Sequence, residues 1–380
     1  MLDISKSIKT LNKDDIADNM LHYGYNTKHL LSLIDSGMEL DDPSYMSSYR
    51  SFEGEAYENF VYEKLLRYAE QNDYIEKFVL KGFHQNKCVA YANTLSISEK
   101  EQIVYRTKSR EISEFDAMFV TKNNELYFVE MTLVKSVLKL RRRLRKKKAL
   151  LEIIFPNYVV KALIILNEGA TGTKQLPDYC KVWFTNEYSA SEVLKYITQP
   201  VAERKELEPK DKKWSAKMIE AHTLKLHPFR YYNTMSWITK TLRSHKKYVV
   251  DMTFLNNYKI QRYHDLYNKF YIGYAKVENV RALLGLTDTY PADQKVVVAL
   301  EKKHSDEIVV TYYIQRARKN LILYSFNDDS SISKEKKDPY GITVTEVFHI
   351  AKQMDDSYEL TTQNINTVEK LLKEKFDKNS

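Results

Sequence analysis

Over residues 52–71 apolar side chains recur three and four apart. Tyr57, Phe60, Val61, Leu65 and Tyr68 share one face, the pattern of an amphipathic helix. Upstream, residues 19–34 carry apolar positions at helical spacing, and Asp41-Asp42-Pro43 marks a turn. Glu53, Glu55 and Glu58 then fall in the first turns of the 52–71 helix, where the dipole favours negative charge. The period changes after residue 76. Residues 77–80 and 103–105 read as short strands, and 114–120 and 126–132 as a strand pair joined by a turn containing Asn123-Asn124. A basic helix follows over 133–154 and stops at Pro156. Residues 160–166 and 182–184 read as buried strands, and 189–197 as a closing helix. This order predicts a mixed α/β domain, a central sheet flanked by helices.

The charged run over 203–213 reads as a linker or an exposed helix. The next sixty residues look mostly helical, with Tyr263, Tyr267, Phe270 and Tyr274 at the spacing of one helix face. Strands are expected at 296–300, 308–314 and 321–326, with hairpin loops at His304-Ser305-Asp306 and Arg318-Lys319-Asn320. Residues 328–338 are polar, and helices are expected at 344–354 and 365–376. The implied division is an N-terminal helical segment over 1–50, an α/β domain over 51–200 and a C-terminal helical and α+β accessory domain over 205–380.

Composition narrows the class. Apolar residues make up 43% of the chain, enough for buried cores, and no apolar run reaches the roughly 18–20 residues of a membrane span. The N-terminus is polar with no apolar leader, so a cytoplasmic setting and no membrane partner are expected. Cys88 and Cys180 form no CxxC pair and join no zinc-spaced cluster. The net charge of +8 favours a polyanionic partner, nucleic acid above all. The 29 tyrosines read chiefly as amphipathic core residues.

Two acids interrupt apolar strands: Asp116 in Glu114-Phe115-Asp116-Ala117-Met118, and Glu130 in Phe128-Val129-Glu130-Met131. A carboxylate on a half-buried strand costs free energy unless it is paired or bound to a cation. Two brought together in a hairpin repel, and a divalent cation relieves this. Carboxylate and phosphate oxygens are the donors Mg²⁺ prefers.

Gly54-Glu55-Ala56-Tyr57-Glu58 on a helix, Glu114-Phe115-Asp116 on a strand, and Val129-Glu130-Met131-Thr132 on the next resemble the PD-(D/E)XK nuclease superfamily in order and spacing. The resemblance covers about 50–185. It implies a restriction-endonuclease-like fold and an Mg²⁺- or Mn²⁺-dependent endonuclease. Glu58, Asp116 and Glu130 would be both metal ligands and catalytic acids. Thr132 stands where the family's E-x-K motif has lysine, as in variants similar to some type IIS restriction endonucleases and to viral cap-snatching endonucleases. In the latter a lysine on the following helix takes over. Read as helical from Leu133, the basic segment puts Lys135, Lys139, Arg142 and Lys146 within roughly 60° of one another, opposite Leu133, Val137, Leu140, Leu144 and Leu151. Lys146 is the first candidate for the relocated catalytic lysine and Lys135 the second. Lys139, Arg142, Arg143 and Lys147 are candidates for nucleic-acid contact. Glu101 and Gln102 are further candidates for the site's border.

The family uses an upstream histidine in its viral members, but nothing fixes His22 in that role. His84, after a strand, reads as structural, and His222 has no visible partner set. The resemblance favours DNA over RNA and a setting in restriction or defence. An RNA endonuclease of cap-snatching type and a non-catalytic nucleic-acid-binding protein are the alternatives. Many members dimerise to cut both strands, so a homodimer is one arrangement the resemblance allows.

Overall fold

The computed structural model describes residues 9, 11, 16, 24–85, 91–108, 110–186, 188–199, 213–242, 255–302, 307–317, 320–326, 332–335 and 350–376. Contacts divide the chain into two units, Met1–Arg230 and Tyr231–Ser380. Among the described residues no helix is long and apolar enough to cross a membrane.

In the first unit helices α1 (Tyr25–Asp35) and α2 (Pro43–Gln71) precede strand β1 (Ile75–Leu80). The Asp41-Asp42-Pro43 turn is the start of α2. The Asp42 carboxylate accepts from Ser44 N at 2.7 Å, and Pro43 takes the first helical position, where a missing N–H costs nothing. Glu53, Glu55 and Glu58 are therefore mid-helix, and the dipole reading of these acids does not hold.

Strands β2 (Thr94–Ile97), β3 (Ile103–Arg106) and β4 (Glu111–Phe115) form a small antiparallel sheet. The expected strand over 114–120 is two strands. After β4 the chain changes sheets at Asp116, and β5 (Ala117–Thr121) pairs with β1 and β6 (Glu125–Thr132) in a six-stranded sheet. Helix α3 (Leu140–Ile154) links β6 to β7 (Val159–Asn167), and β8 (Cys180–Thr185) and helix α4 (Ala190–Ile197) follow. β6, β7 and β8 are parallel neighbours, while β1, β5 and β6 are antiparallel. This is an α/β unit with a mixed central sheet and flanking helices. At the far edge β9 (Met218–Glu220) pairs in parallel with β1. Ser215 Oγ donates to Glu70 Oε2 at 2.6 Å, and Tyr105 Oη to Phe229 O at 3.0 Å. Residues 213–230 thus pack with the first unit, beyond the boundary at 200–205 that composition suggested.

Alternation along β5, β6 and β7 assigns the two faces of the sheet. Ala117, Phe119, Tyr127, Val129, Met131, Leu163 and Ile165 pack with Tyr57, Val61, Leu65, Leu66 and Ala69 of α2. Glu130 lies on the opposite face, where Lys147 of α3 meets it. A second cluster holds α1, α2 and α4 together through Leu30, Phe52, Ala56, Phe60, Val193 and Ile197.

The expected helix over 133–154 begins only at Leu140. Residues 133–139 are drawn into backbone pairing with the loop after β7: Thr171 N donates to Lys135 O at 2.9 Å and Val137 N to Thr171 O at 3.2 Å. Lys135 and Lys139 are therefore exposed and stand ahead of the helix, off its shared face.

The second unit carries helices α5 (Tyr231–Leu242), α6 (Tyr258–Tyr267), α7 (Val277–Leu284) and α8 (Thr362–Phe376). Five antiparallel strands form its sheet in chain order: β10 (Lys269–Lys276), β11 (Lys295–Lys302), β12 (Ile308–Ala317), β13 (Asn320–Phe326) and β14 (Ile332–Glu335). It combines helices with an antiparallel sheet, as the C-terminal reading expected. The aromatic stripe does not survive intact: Tyr263 and Tyr267 are on α6, but Asn268 turns left-handed (φ 61°) and Phe270 and Tyr274 belong to β10. His22, most of the charged run over 203–213, Arg243, Lys246, Lys247, the loop His304-Ser305-Asp306, Arg318-Lys319, and much of 328–338 and 344–354 lie outside the described residues.

Helix α1 lacks a capping side chain of its own. Its first turn is held instead by Glu55 of α2, whose carboxylate accepts from Asn26 N and Thr27 N, both at 3.0 Å, and from the Asn26 amide and Thr27 hydroxyl, both at 3.1 Å. Gly24 leaves room for this approach, since a Cβ there would fall 2.1 Å from Glu55 Oε1. Loss of a helix cap costs on the order of 1 kcal/mol. Glu55→Ala is expected to speed amide hydrogen exchange across Tyr25–Asp35 by roughly tenfold, while the amides of β6 and β7 keep wild-type protection.

Candidate active site

The β5–β6 register fixes the two strand acids. Ala117 pairs with Val129, so the next step sets Asp116 opposite Glu130 as the chain leaves for the small sheet. Asp116 Oδ2 accepts from Met131 N at 2.6 Å, pinning the carboxylate to the β6 backbone beside Glu130. Both acids are buried, Asp116 at 5% exposure and Glu130 at 3%. Glu130 lies near the carboxyl end of a strand in the parallel half of the sheet, where open α/β sheets place their ligand sites.

Buried charge of this kind needs a partner, and α3 supplies one. Lys147 Nζ donates to Glu130 Oε2 at 2.6 Å, and Arg143, on the exposed side of the helix, pairs with Oε1. Lys147 lies over the Phe115 ring, 5.6 Å from its centroid. Lys147 was expected to be a nucleic-acid contact and Lys146 the relocated lysine. The structure places Lys147, not Lys146, on Glu130. Lys146 forms no ion pair with these acids, and burial, then Arg142 beside it, lowers its pKa. Lys135 is exposed and outside the helix. The signal for Lys147 was present: with Leu140, Leu144, Leu151 and Ile154 it occupies spacings of 4, 7, 11 and 14, so a lysine stands within the apolar stripe itself.

Glu58 approaches from α2. Burial raises its pKa well above the usual carboxylate range, with Asp116, Glu114 and Glu130 adding repulsion, while Lys81 opposes the rise. Burial also raises Glu130, against the pull of Lys147. The three acids predicted from sequence are thus brought into one electrostatic cluster. Two members were not foreseen: Glu114 at the end of β4, and Lys81, buried just after β1 with its ammonium 5.1 Å from the Tyr62 ring centroid.

Glu58 and Lys81 line a cleft of about 50 Å³ that also reaches Glu63, His84, Glu101 and Gln102. Glu101 and Gln102 do border the region; Glu101 is left-handed (φ 64°), in the turn that carries both. His222 is exposed and meets Glu220 at 3.2 Å, apart from the cluster.

The donor chemistry fits a hard divalent cation: every candidate ligand is a carboxylate oxygen, and the carboxyls repel one another. In the present arrangement Glu130 spends its oxygens on Arg143 and Lys147, and among the described residues no three His, Cys, Asp or Glu side chains converge on one ion position. No family model, curated protein or solved structure matches this chain.

The raised Glu58 carboxyl gives a directional expectation. A group whose pKa rises on folding stabilises the fold below its unfolded value, near 4.5, and loses that contribution as pH climbs through the folded value. Wild-type stability should therefore fall over this interval. Glu58→Gln should flatten the fall and leave the variant the more stable form at neutral pH, measured by urea unfolding of both proteins across pH 4–8.

Proposed function

We propose that this chain is a metal-dependent nuclease that hydrolyses phosphodiester bonds, with DNA the favoured polymer. The observation that carries this reading is Asp116 facing Glu130 across adjacent strands, with Glu58 in the same electrostatic cluster and a lysine of the following helix bonded to Glu130. It supports the resemblance to PD-(D/E)XK nucleases of the E-x-T variety and, with it, a restriction-endonuclease-like fold for the first unit. Asp116, Glu130 and Glu58 would hold Mg²⁺ or Mn²⁺, which would supply an acidified water and neutralise charge on the phosphate.

The chain's own residues do the rest. Lys147 opposes the rise that burial imposes on the Glu130 carboxyl and fixes its orientation. The hydrogen bond from Met131 N does the same for Asp116. Arg143 is half in solvent and its fork matches a phosphate as well as a carboxylate, so an arriving backbone phosphate can draw it from Glu130. Arg142, Lys139 and Lys135 extend positive charge along the same stretch of chain for sequence-independent contact.

One observation favours RNA instead: the lysine comes from the helix after the E-x-T strand, the arrangement attributed above to cap-snatching endonucleases. Supercoiled plasmid and labelled single-stranded RNA, each incubated with Mn²⁺ and with EDTA, separate the two. Wild type is expected to nick the plasmid only with metal. Glu130→Ala and Asp116→Ala should each lower the rate by at least about 10³-fold, since removing a ligand removes the electrostatic stabilisation of the transition state. Preferential RNA cutting would select the second reading. Nucleic-acid binding with no cutting of either polymer would leave a binding protein.

Lys147→Met separates its structural from its chemical role. Breaking a buried pair costs on the order of 3 kcal/mol. The loss should be full at pH 8 and smaller at pH 4.5, because Glu130, its pKa raised by burial, takes up a proton as the pH falls. Thermal unfolding at the two pH values measures it.

A further inference from the structure

The cleft that holds Glu58 ends on a second pair of titratable groups that the reading above does not use. Glu63 of α2 and His84, just after β1, meet at 2.5 Å between Oε1 and Nε2, with side chains only 5% and 3% exposed. The other Glu63 oxygen is buried and has no hydrogen-bond partner among the described residues. An unmet buried acceptor destabilises the fold, so Glu63 is a poor choice for packing alone. The imidazole is held on three sides: edge-on against Trp214 at 5.1 Å and Phe83 at 5.7 Å, and nearly parallel to Tyr62 at 6.4 Å.

A carboxylate on one imidazole nitrogen fixes the tautomer. With Nε2–H donating to Glu63, Nδ1 carries the free lone pair. Among the described residues Nδ1 has no hydrogen-bond partner, and His84 lines the cleft with Glu58 and Lys81. The cleft of about 50 Å³ has room for water between them. The other nitrogen bases there are the lysines Lys81 and Lys100, whose ammonium groups carry no lone pair. Glu55 is committed to the first turn of α1.

We infer that His84, oriented by Glu63, is the general base of this site, taking a proton from the attacking water through the cleft it shares with Glu58. The inference rests on the nuclease reading. In the step, the water O–H bond breaks and its proton passes to His84 Nδ1. The oxygen pair forms the bond to phosphorus, and the phosphorus–oxygen ester bond breaks with its pair on the leaving oxygen. That oxygen takes a proton from solvent, and His84 later returns its own to solvent. Glu63 acts as a positioning residue that stabilises the imidazolium.

The test is chemical rescue. His84→Ala should cut plasmid about 10²-fold more slowly than wild type. Added imidazole should restore about tenfold of that loss, while pyrazole, of the same size but far less basic, should restore none. If the alanine form does not fold, His84→Asn keeps a donor for Glu63 and should show the same slowing. Glu63→Gln should slow cutting less than His84→Ala does. Rescue by both azoles alike, or by neither, would make His84 a packing residue and overturn the inference, as would a variant as fast as wild type. A wild-type chain that cuts no substrate with metal would instead overturn the nuclease reading, and the base with it.

Discussion

A carboxylate buried on the central sheet must be answered by a cation, and that requirement organises the first unit. Glu130 is one residue in an otherwise apolar strand, and its burial would be prohibitive without Lys147. The β6–α3–β7 crossover brings α3 over the strand that carries Glu130, which is why a lysine on the inner stripe of the helix reaches it. The β5–β6 register then delivers Asp116, and α2, packed on the other face through Tyr57, Val61 and Leu65, delivers Glu58. The acids come from three elements, yet each is placed by ordinary packing.

Much of this was legible in the residues. Alternation marked β5 and β6, and the apolar period of α2 predicted its buried face. Acids inside apolar strands signalled the cluster, because burial of charge is the costly exception. What escaped had physical reasons. Leu133, Val137 and Leu140 have helical spacing, but backbone pairing with Thr171 claims residues 133–139, so Lys135 and Lys139 do not share a helix face with Arg142 and Lys146. β9 has three residues and offers no period. Phe270 and Tyr274 continue the spacing of α6, and only the left-handed turn at Asn268 shows that the helix has ended.

The Glu63–His84 pair was not legible either, and for a different reason. The residues are twenty-one positions apart, and Glu63 looks like one more acid on a mixed-charge helix. Neither spacing nor composition singles out a contact made by the return of the chain along β1. The same holds for Glu55, whose four acceptor contacts cap a helix preceding its own.

Asp116 sits on the single residue between two sheets that share no strand. β4 hangs in the small sheet and β5 in the large one, so the peptides flanking Asp116 are a direct, one-residue covalent link between them. The Asp116 carboxylate, however, is tied to the large sheet by Met131 N, on the strand that carries Glu130. The residue opposite Glu130 is thus also the joint between two layers: its backbone continues the small sheet while its carboxylate is held by the large one.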